Sequence, residues 1–257
     1  MTAPPVAQDT LDLAVKLTRA AGERTLRWFR APDLAVEAKH DGTPVTAADR
    51  DAERFLRAEL LAAFPADGVL GEEEAPKAST SGRRWVIDPI DGTKAFTCGV
   101  PLYSNLLALE DEHGIAVGVV NLPALGETVW AGRGRGCWSE RGPARVSAAP
   151  TLDQAYVMSS SFVTWSPAQL AAVEGAGAIL RTWGDGYGYA LVATGRVAAM
   201  VDPIVAPYDI GPMPVLLDEA GGRFTDLAGA LTIESGSGVA TNGLVHDELL
   251  TLLRPSP

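Results

Sequence analysis

Two carboxylates stand close together in Asp88-Pro89-Ile90-Asp91, directly after the apolar run Trp85-Val86-Ile87 and before Gly92-Thr93-Lys94. The apolar run reads as a buried strand, with the acids at its exit. Carboxylates are hard oxygen donors that suit Mg²⁺ or Ca²⁺ and not Zn²⁺. Pro89 lacks an amide hydrogen, so the strand ladder is expected to stop there. Asp91-Gly92 supplies turn chemistry, and the chain beyond Gly92 can open a helix whose free amides face an anion. Metal-binding acids beside an anion-binding turn point to phosphate-ester chemistry.

Three more segments stand in order around this one: Gly71-Glu72-Glu73, Pro207-Tyr208-Asp209 and Glu219-Ala220-Gly221-Gly222. Together with Asp88-Pro89-Ile90-Asp91-Gly92-Thr93 they resemble the signature of the inositol monophosphatase-like, Mg²⁺-dependent, Li⁺-sensitive phosphatases. The resemblance runs from about residue 9 to about residue 253. The haloacid-dehalogenase phosphatase box also ends in Asp-Gly-Thr. It puts one residue between its aspartates, whereas two separate them here, which would displace that family's nucleophile.

The resemblance implies an α/β (α+β) fold, a layered αβαβα sandwich of the inositol monophosphatase/fructose bisphosphatase type. Residues 1–150 would form an N-terminal half with the metal motif. Residues 151–257 would form a C-terminal half with the substrate turn and the last metal ligand. It implies two or three Mg²⁺ ions, with Mn²⁺ able to substitute. Glu72, Asp88 and the Ile90 carbonyl would hold one ion; Asp88, Asp91 and Asp209 would hold a second, with Asp88 bridging. Thr93, with Glu72, would orient a water for in-line attack, and the Gly92 and Thr93 amides would grip the phosphate. A homodimer is also implied.

For the leaving group, the resemblance points to Gly184-Asp185-Gly186 and to Asp202, seven residues ahead of Asp209. Residues 181–189 are most similar to the histidinol-phosphatase branch, as is the continuation into Gly99-Val100-Pro101. Histidinol phosphate carries an ammonium and an imidazole, which suit two carboxylates. Tyr208 stands where the family has tryptophan, and Tyr103-Ser104-Asn105 and Asn121-Leu122-Pro123 depart from that branch. Inositol phosphate, a sugar bisphosphate and a nucleotide remain alternative substrates. A non-catalytic, partner-binding relative is a further alternative, but such a protein has no need of Glu72, Asp88, Asp91, Thr93 and Asp209 together.

Several of these residues also have a plain structural reading. Thr46-Ala47-Ala48-Asp49 is a loose capping box, so Asp49 is either a helix-start acid or a support behind the metal ligands. Thr93 and Asp185 could each cap a helix. Lys94 could add charge for phosphate or face solvent. His40 reads as a solvated loop residue, and the run Glu72-Glu73-Glu74 would by itself be a solvated face.

Composition agrees with a globular enzyme. The 257 residues are 47% hydrophobic and 21% charged. A net charge of -11 argues against broad nucleic-acid binding, which needs a basic face. It does not argue against an anionic substrate, because bound cations invert the local sign. Cys98 and Cys137 follow no metal or redox spacing and read as free thiols in a reducing cytoplasm. Met1 to Pro5 does not read as a signal peptide, and no apolar stretch is long enough to span a bilayer.

The positioning elements follow from periodicity. A helix is expected from residue 9 or 10, capped by Asp9 or Thr10, to about residue 30, where Pro32 stops it. A second should bury Ala52, Phe55, Leu56 and Leu60. After the central motif, residues 106–109, 115–121 and 128–131 read as an antiparallel meander. Residues 132–136 then form a glycine-rich hairpin loop. The second half reads as a βα sandwich: strands at 156–159, 179–183 and 198–201, helices at 167–176, 185–194 and 208–220, and a last helix capped by Asn242. Pro212 and Pro214 are tolerable only near a helix start.

Overall fold

The computed structural model describes residues 3–39 and 42–254. Met1, Thr2, His40 and Asp41 lie outside the described residues. The first half runs α1 (Gln8–Leu26), β1 (Val36–Ala38), β2 (Pro44–Thr46), α2 (Ala47–Ala63), β3 (Gly68–Gly71), β4 (Arg84–Asp91), α3 (Thr93–Thr97), β5 (Ser104–Asp111), β6 (Gly114–Leu122), β7 (Glu127–Gly132), β8 (Gly136–Ser139) and β9 (Gly142–Pro143). The second runs β10 (Tyr156–Met158), α4 (Pro167–Gly175), β11 (Ile179–Arg181), α5 (Asp185–Ala193), β12 (Ala199–Asp202), α6 (Pro207–Ile210), α7 (Met213–Ala220), β13 (Arg223–Thr225), β14 (Gly238–Thr241) and α8 (His246–Leu253).

Strand alternation sorts these elements into layers. Trp85 and Ile87 of β4 face one way and join Leu11, Leu56 and Leu60 of α1 and α2. Val86, between them, faces the other way and joins Leu191 of α5 and Leu216 of α7. Seven strands, in the order β3-β4-β5-β6-β7-β8-β9, make the first sheet. Five, in the order β11-β10-β12-β14-β13, make the second, whose outer face packs Val157 and Val201 on Val173 of α4 and Leu249 of α8. The stack is therefore αβαβα, as expected. The middle core draws on both sheets, from Leu106 and Val120 to Met200 and Ala240. No helix among the described residues is long and apolar enough to cross a membrane.

Four local expectations need correction. The ladder does not stop at Pro89: Asp88 pairs with Leu106, the register shifts, and Asp91 pairs with Ser104. The first helix ends at Leu26 without a side-chain cap at its start, and the chain turns through Arg30 at φ 62°. The single helix expected over 208–220 is two, broken at Gly211-Pro212, because a proline inside a helix removes a hydrogen bond and clashes with the preceding turn. Asn242 accepts from the Leu244 and Val245 amides in a turn before α8, whose first residue is His246. Strands β13 and β14 were not anticipated; three or four residues are too few to show a period.

Candidate active site

The bulge in β4 does what a regular strand could not. In unbroken alternation, residues three apart face opposite sides of a sheet. Here three steps on β4, from Asp88 to Asp91, match two on β5, from Leu106 to Ser104. One extra residue thus turns both carboxylates to the middle layer. The proline carbonyl freed by the bulge accepts the Asn105 side-chain amide at 2.6 Å. Asn105 is held in turn by Asn121 at 2.9 Å, and Asn121 by Thr128 at 3.1 Å. This buried polar relay crosses β5, β6 and β7. It gives Asn105 and Asn121, at two places where the sequence departs from the histidinol-phosphatase pattern, a positioning role that sequence reading missed. The signal available was asparagine buried in otherwise apolar strands.

Asp209 reaches the same place from the second half. It lies in the first turn of α6 and accepts the Ala206 amide at 2.7 Å on Oδ2. One carboxylate oxygen from each of Asp88, Asp91 and Asp209 falls within 4.8 Å of the other two. Burial raises all three carboxyls, and the charges of neighbouring acids raise them further. Asp88 goes well up through burial and the charges of Glu72, Asp91 and Asp209. Asp91 goes well up through burial and the charges of Asp185 and Asp209, against the pull of Ser104. Asp209 goes to about 7 through burial, against the pull of the Ala206 amide, with Glu72 adding to the rise. Clustered acids that cannot all ionise alone fit a hard divalent cation.

The remaining expected ligands sit around this group. Glu72 follows β3 and lies against Asp88, but its Oε1 takes the Lys39 ammonium at 2.6 Å. Lys39, which also bonds Glu73 at 2.6 Å, was not anticipated at the site. The Ile90 carbonyl accepts the Thr93 hydroxyl at 3.0 Å and retains a second lone pair. Asp49 forms the expected capping box, its Oδ2 accepting the Thr46 amide at 2.8 Å and hydroxyl at 2.6 Å. Its other oxygen, Oδ1, is fully buried with no hydrogen-bond partner among the described residues. Such an orphan is rare and suits a position facing a cation.

Gly92 starts α3 in the left-handed region, at φ 81°. A Cβ there would also sit 2.8 Å from Asp185 Oδ2, so glycine is required twice over. Thr93 is the first residue of α3 and does not cap it. Lys94 is exposed, and its charge pulls the Asp185 carboxyl down.

The second-half turn is tied directly to the first. The Gly186 amide donates to Asp91 Oδ2, which also accepts the Ser104 hydroxyl at 2.7 Å. A side chain at Gly186 would collide with both Ser104 and Asp91, and one at Gly184 with the Ser160 backbone. Asp185, at φ 53°, does not cap α5. Its carboxyl rises to about 6 through burial and the Asp202 charge. Asp202 is 4% exposed and accepts from the Ser160 amide at 2.8 Å, the Ser160 hydroxyl at 2.9 Å, and Ser159 and Tyr189 at 3.2 Å each. Of the four residues expected at the leaving group, Asp185 therefore has a carboxylate beside the Gly92 turn. Gly186 and Asp202 spend their polar groups on the protein, because the turn must be anchored before it can present anything.

Enzymes that hydrolyse phosphate monoesters with divalent ions carry such clustered acids. The chain belongs to the inositol monophosphatase family, whose model matches residues 7–256, and it is a phosphomonoesterase. It is similar to the histidinol-phosphatase of Chlorobaculum parvum, 42% identical over 249 residues that cover 95% of this chain and 96% of the relative. It is also similar to the histidinol-phosphatase of Mycobacterium tuberculosis, 41% identical over 96% of this chain and 99% of the relative. Among solved structures, the IMPase of Thermotoga maritima superposes with a TM-score of 0.87 at 32% identity, over 96% of this chain and 97% of that one.

Proposed function

We propose that this phosphomonoesterase hydrolyses histidinol phosphate, using Mg²⁺ held by Glu72, Asp88, Asp91, Asp209 and the Ile90 carbonyl. The observation that carries the substrate is Asp185, whose Oδ2 lies against Gly92 at the turn proposed to grip the phosphate. Histidinol phosphate carries its ammonium two carbons from the ester oxygen. A carboxylate next to the phosphate turn therefore meets a cation, and neutral polyol phosphates offer none. The relatives named histidinol-phosphatase support the same reading.

The bound cation would supply charge that activates a water and stabilises the leaving alkoxide. The chain's own residues do the rest. The Gly92 and Thr93 amides hold the phosphate oxygens at the start of α3. The Thr93 hydroxyl, with Glu72, orients the attacking water in line with the ester bond. The water oxygen bonds to phosphorus, the bond from phosphorus to the alcohol oxygen breaks, and that oxygen takes up a proton. Asp185 holds the substrate ammonium, and Asp202 supports its turn through Ser160, which also contacts the Asp185 amide at 2.9 Å. Mn²⁺ substitutes for Mg²⁺, Li⁺ inhibits, and the working unit is a homodimer. Unpaired Cys98 and Cys137 support a reducing, cytoplasmic setting.

The test is phosphate release from histidinol phosphate and inositol phosphate side by side, in wild type and Asp185→Asn. A charge-assisted hydrogen bond contributes about 1.5–3 kcal/mol. The substitution should cost roughly ten- to a hundredfold in kcat/KM for histidinol phosphate and leave inositol phosphate unchanged or slightly improved. Equal loss on both would make Asp185 a turn-former only. A wild type that prefers inositol phosphate would overturn the substrate.

A further inference from the structure

Helix α2 carries Asp49, Glu53 and Arg57 at intervals of four, so the three share one stripe. That stripe is buried, with Asp49 and Glu53 at 0% exposure and Arg57 at 8%. A fully buried ion pair costs desolvation and is weak evidence for stability as such. Here each partner is also committed to backbone. Glu53 accepts the Glu73 amide at 2.7 Å and the Glu74 amide at 3.1 Å, and takes Arg57 Nε at 2.7 Å. Arg57 donates to the Glu74 carbonyl at 2.8 Å and the Ala75 carbonyl at 3.1 Å. One side chain thus satisfies the donors of the turn after β3, and the other satisfies its acceptors. A Cβ at Gly71 would collide with the Glu53 carboxylate, so the chain comes off β3 directly onto the pair.

We propose that Glu53 and Arg57 form a charged clamp that fixes residues 73–75 and thereby aims Glu72 at Asp88 for metal binding. The clamp rests on the reading of Glu72 as a metal ligand. Both are positioning residues: neither is proposed to touch ion or substrate. The Lys39 ammonium takes the same Glu72 carboxylate at 2.6 Å, and the clamp holds the turn so that this carboxylate stays against Asp88 as well. The clamp differs from Asp49, which lies one turn earlier on the stripe and keeps one buried oxygen without a partner among the described residues.

The experiment measures Mg²⁺ binding to the full chain by calorimetry, with circular dichroism to show folding. Glu53→Gln keeps the shape and removes the charge, and should weaken Mg²⁺ binding by about tenfold or more, the scale for losing a group that orients a ligand. Arg57→Lys keeps the charge but loses the fork across two carbonyls, and should weaken binding in the same direction; it decides the matter if Glu53→Gln does not fold. Leu249→Ala, a cavity in the far layer, should leave Mg²⁺ affinity unchanged although it destabilises the fold. Unchanged affinity in the clamp variants, or an equal loss in Leu249→Ala, would overturn the clamp. Glu72→Gln separates the two levels. If it leaves Mg²⁺ affinity intact, the ligand assignment falls and the clamp with it. If it weakens binding while Glu53→Gln does not, only the clamp falls.

Discussion

Asp88 and Asp202 are both buried aspartates near the end of a strand, one in each sheet, and both face the middle of the molecule. Their surroundings are opposite. Asp202 is ringed by donors: an amide and three hydroxyls from Ser159, Ser160 and Tyr189. Asp88 accepts the Ile90 amide at 3.1 Å and otherwise faces acids, with Glu72, Asp91 and Asp209 all pushing its carboxyl upward. A buried acid with four protein donors is complete and holds structure together. A buried acid among acids is complete only with a cation.

The comparison breaks most visibly under Asp88→Asn. Activity should fall by about a thousandfold or more, the upper range for removing one group that stabilises the transition state. The metal-free protein should become more stable, since the substitution removes repulsion. Phosphate release and urea melts in chelator measure the two effects; a variant that keeps full turnover would remove Asp88 from the chemistry.

Asp202→Asn should do the reverse. Its amide would point hydrogens at groups that are themselves donors, at about 1–3 kcal/mol for a buried group left unsatisfied. Stability should fall with or without Mg²⁺, and Mg²⁺ affinity should stay near wild type. A large loss of Mg²⁺ affinity with normal stability would place Asp202 among the ligands.

The smallest effect is on pH dependence. Asp185 and Asp209 are raised to about 6 and about 7 in the metal-free fold, above their unfolded value of 3.8. A raised acid binds more protons folded than unfolded. Its contribution is full below the unfolded value and is lost as pH rises through the folded one. In chelator, Tm should therefore drop between about pH 4 and pH 7, by roughly 2–4 °C for each kcal/mol lost. Saturating Mg²⁺ should flatten or invert the slope. A metal-free Tm that rises across this window would contradict the crowding of acids.

Much of the site was legible before any coordinates. Asp88 and Asp91 stand at the exit of an apolar run, a border visible in one dimension, whereas Glu72 and Asp209 were marked by the resemblance, since the run Glu72-Glu73-Glu74 alone reads as a solvated face. The meander, the glycine hairpin at residues 132–136 and the capping box at Thr46 depend on neighbours in sequence, so they too could be read. What Pro89 does could be read only halfway. Loss of its amide predicts a break, but resumption of the ladder at Asp91 depends on β5 supplying Ser104 and Asn105.

Local sequence determined which residues are acids, where strands deliver them, and that glycine turns follow. The fold decided which of those acids meet. Asp209 stands 118 residues beyond Asp91 (209 − 91), and no local pattern sets a distance across that gap. The fold also decided that Asp202 would be satisfied, Asp49 half satisfied and Asp88 crowded. Hydrogen-bond completion depends on partners brought by other layers: Ser159 and Ser160 after β10, Tyr189 on α5, and Lys39 after β1. Spacing along a chain reports periodicity within an element, while the charge state of a buried carboxylate reports everything packed around it.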